Sequence, residues 1–342
     1  MKKILCVLTA LMFVFAAGAA NDETLTVSYD NIGEYVKAAN PDIEQLKINI
    51  QGMERALGFL ESTYTAEQNI ARENLKESLE YTRHSRDAVR ELLVYNAQLM
   101  ISGTYQMDFQ IEEIEDSVES LKSKLSVLDV MLGIGYTSKS QIDLMKLNIE
   151  SLENTKNTLI RQKELLIKQL NQLMGRAPDL PLVISEFTLA PAQNINGGTL
   201  AEEDYETEFQ IAYDNNHTLK TEKAKYDLLY KRDRFSTEFR AQRIALEKAR
   251  SEFKTNFRSA FDDVFYYKTQ IQIAQNQYDN KKADFDLTEL KYKVGVVSKN
   301  DFTDAQNALK SEQRKIKLAE IDFMNAILKY KAYLNGAYPV SR

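Results

Sequence analysis

The stretches "LGIGYTSKSQIDLMKLNI" (residues 132–149) and "YKVGVVSKNDFTDAQNAL" (residues 292–309) carry the same punctuation: glycines 135 and 295, serines 138 and 298, and lysines 139 and 299 each lie 160 residues apart. Glycine ends a helix readily because it adopts positive φ without a Cβ clash. Serine starts the next helix by offering its hydroxyl to a free backbone N–H. Gln141 and Asp301 stand three residues beyond the serines, where a capping box would return a bond to the cap. Each stretch therefore predicts a tight turn between two helices.

The flanking periodicity gives those helices a common phase. After the second turn, Phe302, Ala305, Leu309, Glu312, Ile316, Ala319, Phe323, Ala326, Tyr330 and Tyr333 alternate spacings of three and four, a coiled-coil seam with one polar interruption. The counterparts 160 residues earlier are Ile142, Met145, Ile149, Leu152, Lys156, Leu159, Lys163, Leu166, Leu170 and Leu173, with interruptions at the two lysines. Before the second turn, Phe253, Phe257, Ala260, Val264, Tyr267, Ile271, Ala274, Tyr278, Lys281, Phe285, Thr288 and Tyr292 keep the same rhythm. The ladder Phe253, Phe257, Phe261, Phe265 belongs to this stripe and reads as core rather than as a ligand surface. The product is an antiparallel hairpin whose returning arm, Ser298 to Leu334, is about 55 Å long.

The repeat extends over most of the chain. Each half opens on an asparagine, in "AANPDIEQLKI" (38–48) and "DNNHTLKTEKA" (214–224), and closes on "LNQLMG" at Gly175 or "AYLNG" at Gly336. Between the halves, "RAPDLPLVISEFTLAPAQNINGGTL" (176–200) holds three of the five prolines and reads as a linker with one short strand in "LVISEFTL". The expected organisation is a signal peptide over 1–20, a first helical hairpin repeat over 21–175, a linker over 176–204, a second repeat over 205–336 and a short tail over 337–342. The fold class is all-α, built from duplicated long antiparallel coiled-coil hairpins.

Composition agrees with this and excludes much chemistry. With 12 glycines, 5 prolines and no tryptophan in 342 residues, the chain has few turns to spend on a β domain. "MKKILCVLTALMFVFAAGAAND" pairs two lysines with a short apolar run and small residues at Ala17, Ala19 and Ala20, the pattern of a cleaved export signal. The only cysteine, Cys6, lies inside it, so the mature chain is expected to have no disulfide, thiolate metal site or cysteine nucleophile. Acidic residues outnumber basic ones, 50 to 44, which argues against nucleic acid as a partner. The two histidines, His84 and His217, are 133 residues apart and read as surface or capping residues. Carboxylate runs such as "QIEEIEDSVES" (110–120) read as solvated helix faces. No phosphate loop, nucleophile elbow or zinc helix is written; no enzyme, metal or cofactor is expected.

The plan as a whole resembles the TolC family of outer-membrane efflux proteins. It has an asparagine-started helix, a descending tract ending in "YKVG", a restart in "VSKNDF" and a heptad run ending in "LNG", with a counterpart to each in the first half; the resemblance covers roughly residues 30–175 and 205–336 and is sharpest over 285–336. It implies that three chains assemble a tunnel of twelve helices, so that two turns per chain supply six hairpins around one ring. It also implies that the hairpin tips dock a membrane-fusion adaptor serving an inner-membrane pump. Those tips are Gly135, Tyr136, Thr137, Ser138 and Lys139, and Gly295, Val296, Val297, Ser298 and Lys299. In the family, acidic residues beyond the second turn narrow the closed tunnel; Asp301 and Asp304 fall there, while the first turn has Gln141 and Leu144. Family members also place membrane strands between the first two helices of each half. The corresponding stretches, "ALGFLESTYT" (56–65) and "KRDRFSTEF" (231–239), are too short and too charged for such strands, which need ~9–11 residues each. The expected function is a passive conduit subunit, exported to the outer membrane or periplasm. The alternative is a coiled-coil structural protein of the envelope that does not transport.

Overall fold

The computed structural model describes residues 24–61 and 66–337. The expected export signal with Cys6, part of the 56–65 connection and nearly all of the tail lie outside them. The elements in chain order are β1 (Leu25–Val27), α1 (Ile32–Ala39), α2 (Pro41–Glu61), α3 (Ala66–Gly133), α4 (Lys139–Leu173) and β2 (Leu182–Ile184). A short 3-10 turn (Glu202–Asp204) then leads into α5 (Tyr205–Asn215), α6 (His217–Asp233), α7 (Thr237–Lys293) and α8 (Lys299–Leu334). The predicted linker strand is shorter than expected and has a partner the alternation did not reveal: β1 pairs with β2 in parallel, Thr26 opposite Val183.

Each half is one long helix flanked by two shorter ones. α3, of 68 residues, spans about 100 Å; α2 packs along its first half and α4 along its second. α7, of 57 residues, spans about 85 Å and is flanked in the same way by α6 and α8. The halves meet where α3 packs on α8 and on α6. Below the middle the order is therefore α4, α3, α8, α7, a single helical layer with α4 and α7 at its edges.

The predicted seams are the buried faces. No residue of the α4 and α8 seams is exposed, and Ile142, Ile149, Leu170, Phe323, Ala326, Tyr330 and Tyr333 are buried. The polar interruptions on α4 each meet a carboxylate of α3: Lys156 reaches Glu115 at 3.2 Å and Lys163 reaches Asp108 at 2.5 Å. A lysine in this seam thus lays its stem along the apolar face and sets its ammonium against a carboxylate across the hairpin. Tyr292 departs from the expectation, since it is exposed at the end of α7, yet its ring stacks on Phe302 at 4.6 Å.

Two apolar cores form a belt around the middle. In one, Phe253, Phe257 and Phe261 of α7 pack with Tyr205 of α5 and Tyr330 and Tyr333 of α8, so the phenylalanine ladder is core. In the other, β1, α1 and the middle of α3 enclose Val27, Ile32, Val36 and Ile101 with Leu170 and Ile321. The linker is tied to this belt through Glu208, only 1% exposed. Its carboxylate accepts from the Ile195 N–H at 2.8 Å and from the Tyr330 hydroxyl at 2.5 Å. Burial and the adjacent carboxylate together push the Tyr330 hydroxyl far above its ordinary pKa.

Candidate functional site: the paired hairpin tips

From the belt, the α3–α4 and α7–α8 hairpins project about 40 Å and end in two turns of matching construction. At the first, the Gly135 N–H donates to the Leu132 carbonyl at 3.1 Å and the Tyr136 N–H to that of Met131 at 2.9 Å. At the second, the Gly295 N–H donates to Tyr292 at 3.0 Å and Val296 to Lys291 at 2.9 Å. These paired bonds are the Schellman closure of a helix, which requires positive φ at its glycine; Gly135 has φ +80° and Gly295 φ +77°. The expected glycine caps are in place.

The serine caps form as expected, and the return bonds do not. Ser138 Oγ accepts from the Gln141 N–H at 3.4 Å and Ser298 Oγ from the Asp301 N–H at 3.2 Å. A capping box would send Gln141 and Asp301 to the cap backbone. Instead the Ser298 hydroxyl donates to the Asp301 carboxylate at 2.7 Å, and the Thr137 hydroxyl donates to the Gln141 side-chain oxygen. Side-chain hydroxyls take both acceptors.

Most of the expected docking residues are presented to solvent. Gly135, Tyr136, Ser138 and Lys139 are exposed with Thr137 half-buried; Gly295, Val296, Ser298 and Lys299 are exposed with Val297 half-buried. Among the described residues, neither Lys139 nor Lys299 has an ion-pair partner. Each tip also carries an apolar collar that the seam analysis passed over: Val130, Met131 and Ile134 on the first, Leu287, Leu290 and Val294 on the second, all exposed. The signal for them was present as apolar residues falling outside the heptad phase in the last turns before each glycine.

Asp301 is an exposed capping residue, while Asp304 faces the other half of the chain. Its carboxylate lies 2.8 Å from Lys124 Nζ and accepts from Ser120 Oγ at 3.2 Å, both on α3. Further up the same α3–α8 seam, Asp116 takes Lys310 at 3.0 Å together with Arg314, and Glu113 accepts from Ser311 at 3.3 Å. Burial disfavours the Asp116 charge, but the bonds from Arg314 and Lys310 outweigh it and hold the carboxyl below its ordinary range. The carboxylate run over 110–120 is therefore not simply a solvated face, because part of it joins the two halves.

No catalytic constellation accompanies the tips. No group of three potential metal ligands occurs among the described residues. The two histidines, expected in surface or capping roles, are also brought together: His84 of α3 and His217 at the start of α6 stack with centroids 6.2 Å apart. Among the described residues no helix is long and apolar enough to cross a membrane. In the stretches where family members place membrane strands, residues 56–61 lie in α2, 231–233 in α6 and 237–239 in α7.

No family model and no curated protein matches the sequence. Solved structures do. The Campylobacter jejuni CmeC outer membrane channel aligns with TM-score 0.58 at 12% identity, over 91% of this chain and 86% of that one. The open-state MtrE outer membrane channel of Neisseria gonorrhoeae aligns with TM-score 0.57 at 13% identity, over 90% and 89%. The VceC outer membrane protein of Vibrio cholerae aligns with TM-score 0.53 at 12% identity, over 91% and 97%. With its duplicated hairpins, matched tips and a central belt, the chain has the fold of the TolC-family outer-membrane channels that its sequence resembles.

Proposed function

We propose that the chain is a subunit of a TolC-like export conduit, a passive channel component working with a membrane-fusion adaptor and an inner-membrane pump. The observation that carries the reading is the pair of tips. Two hairpins related by the internal repeat end in the same glycine closure and serine cap, and each presents an exposed apolar collar beside an unpaired lysine. A turn that only connected two helices would not need the same chemistry twice. We assign adaptor docking to residues 135–139 and 295–299.

The edges of the helical layer support a homo-oligomer. On α4, Leu144, Leu147 and Leu165 are exposed, and on α7 so are Tyr266, Ile273, Leu287 and Leu290. Tyr266, Ile273 and Leu287 fall at one heptad position, so α7 carries a second seam facing away from its own hairpin. Pairing the α4 edge of one copy with the α7 edge of the next is head-to-tail, a contact that makes a ring where the rotation between copies closes. Three copies would give the twelve-helix wall that the family resemblance implies. Asp301 and Asp304 are the proposed constriction residues, Asp304 being released only when its contact with Lys124 opens.

Imaging the purified chain from residue 21 tests this. The expected result is a threefold tube with a continuous bore; a monomer, or a closed bundle without a bore, at all concentrations would overturn it.

A further inference from the structure

The end of the molecule opposite the tips has a surface that the conduit reading does not use. α6 and α7 meet in the turn 234–236, which the length of α7 places about 85 Å from Gly295. The start of α3 lies at the same end, because the Arg232 guanidinium reaches Asn74 Oδ1 at 3.5 Å. Phe235 sits at the apex of the turn and is 72% exposed, and Tyr230 near the end of α6, Phe59 near the end of α2 and Ile70 near the start of α3 are 50%, 78% and 63% exposed. Large apolar side chains concentrated at one end of a helical rod mark an interaction site.

The segment that carries Phe235 has charge opposite to that of the chain, with Glu73 and Glu77 of α3 beside only its Lys231 and Arg232 end. Over residues 231–243, Lys231, Arg232, Arg234, Arg240 and Arg243 stand against only Asp233 and Glu238, in a protein whose formal charge is −6. All five basic side chains are exposed, and among the described residues none is in an ion pair. Asp233 is partly occupied, since its carboxylate accepts from the Phe235 N–H at 2.9 Å and its carbonyl from the Ser236 hydroxyl at 2.8 Å. The Arg234 guanidinium lies over the Phe235 ring, 4.9 Å from its centroid. An outward aromatic ring with basic residues packed about it is the composition of a membrane-interface anchor: the ring enters the headgroup region while the cations meet anionic lipid.

We propose that this end docks peripherally on an anionic phospholipid surface, with Phe235 as the inserted side chain and Arg234, Arg240 and Arg243 as the headgroup contacts. Binding of this kind needs no membrane-spanning segment. It rests on the chemistry of the 230–244 end and not on the conduit reading, so either idea can fail without the other.

The absence of tryptophan from the sequence gives a clean reporter. In the chain from residue 21, Phe235→Trp introduces a single indole. Its emission is expected to shift to the blue on mixing with vesicles of phosphatidylcholine containing roughly one third phosphatidylglycerol, and to stay unchanged with phosphatidylcholine alone. In co-sedimentation, Arg234→Gln with Arg240→Gln should weaken binding to the anionic vesicles by about 25-fold, at about fivefold per charge, with circular dichroism unchanged. Raised salt should weaken it further. Lys139→Glu with Lys299→Glu, at the opposite end, should leave vesicle binding as it was. No shift with anionic vesicles, an equal shift with neutral ones, or binding indifferent to the arginine substitutions would each overturn the proposal.

Discussion

Gly295 and Gly336 both have positive φ, but they tolerate a side chain differently. A Cβ on Gly295 would meet nothing within 4 Å, so Gly295→Val costs only the strained backbone, about 1–3 kcal/mol. A Cβ on Gly336 would come 2.5 Å from the Asn215 carbonyl and 2.8 Å from the His217 ring, so Gly336→Ala is expected to cost more although the side chain is smaller. Urea denaturation of the two variants should rank them in that order. His217 has its own pH dependence. Burial is the main cause that lowers its pKa; His84, Lys220 and Arg90 add to the effect and Asp87 opposes it. The fold therefore prefers the neutral ring. Its contribution is complete above the unfolded value of about 6.5 and is lost as pH falls below it toward the lower folded value. Protection factors for hydrogen exchange at the start of α6, which remove the slower intrinsic exchange at lower pH, should fall between pH 7.5 and 5.5, and His217→Asn should flatten that dependence.

Between elements, apolar seams hold each hairpin, and the halves are joined by the apolar core around Ile321 in the belt and by polar contacts nearer the tips. Glu208 links three elements at once, and Glu208→Ala would leave the buried Tyr330 hydroxyl and the Ile195 N–H without their acceptor. The expected loss is about 2–4 kcal/mol by thermal or urea unfolding, with the linker near Ile195 cleaved faster by protease. The tips should behave oppositely. Reversing charge at Lys139 and Lys299 touches no seam residue, so helicity should hold while adaptor pull-down falls. Unchanged pull-down would remove the docking assignment from these lysines.

The whole molecule is a helical layer whose two edges carry exposed apolar residues, and the proposed assembly uses them. Leu144→Glu with Leu147→Glu places charge on the α4 edge without entering the α3–α4 seam, because both residues are already 60% exposed. In sedimentation velocity the variant is expected to run as a monomer with wild-type helicity. Assembly that survives the substitution would mean the α4 edge is not the contact.

The duplication, the hairpins, their glycine and serine caps and the core face of α7 were legible in the sequence because each depends on local rules. A heptad fixes which side of a helix is apolar, and a positive φ fixes where glycine must stand. The partner of the 182–184 strand, the stacking of His84 on His217 and the bonds of Asp116 and Asp304 to the other half were not legible, because each joins residues far apart in sequence. The apolar collars of the tips, Val130 and Ile134 or Leu290 and Val294, were visible only as apolar residues out of phase. Periodicity determined what each helix buries; only the packing of α3 against α8 decided which charged faces meet, since a carboxylate on a helix surface reads the same whether it faces water or an arginine.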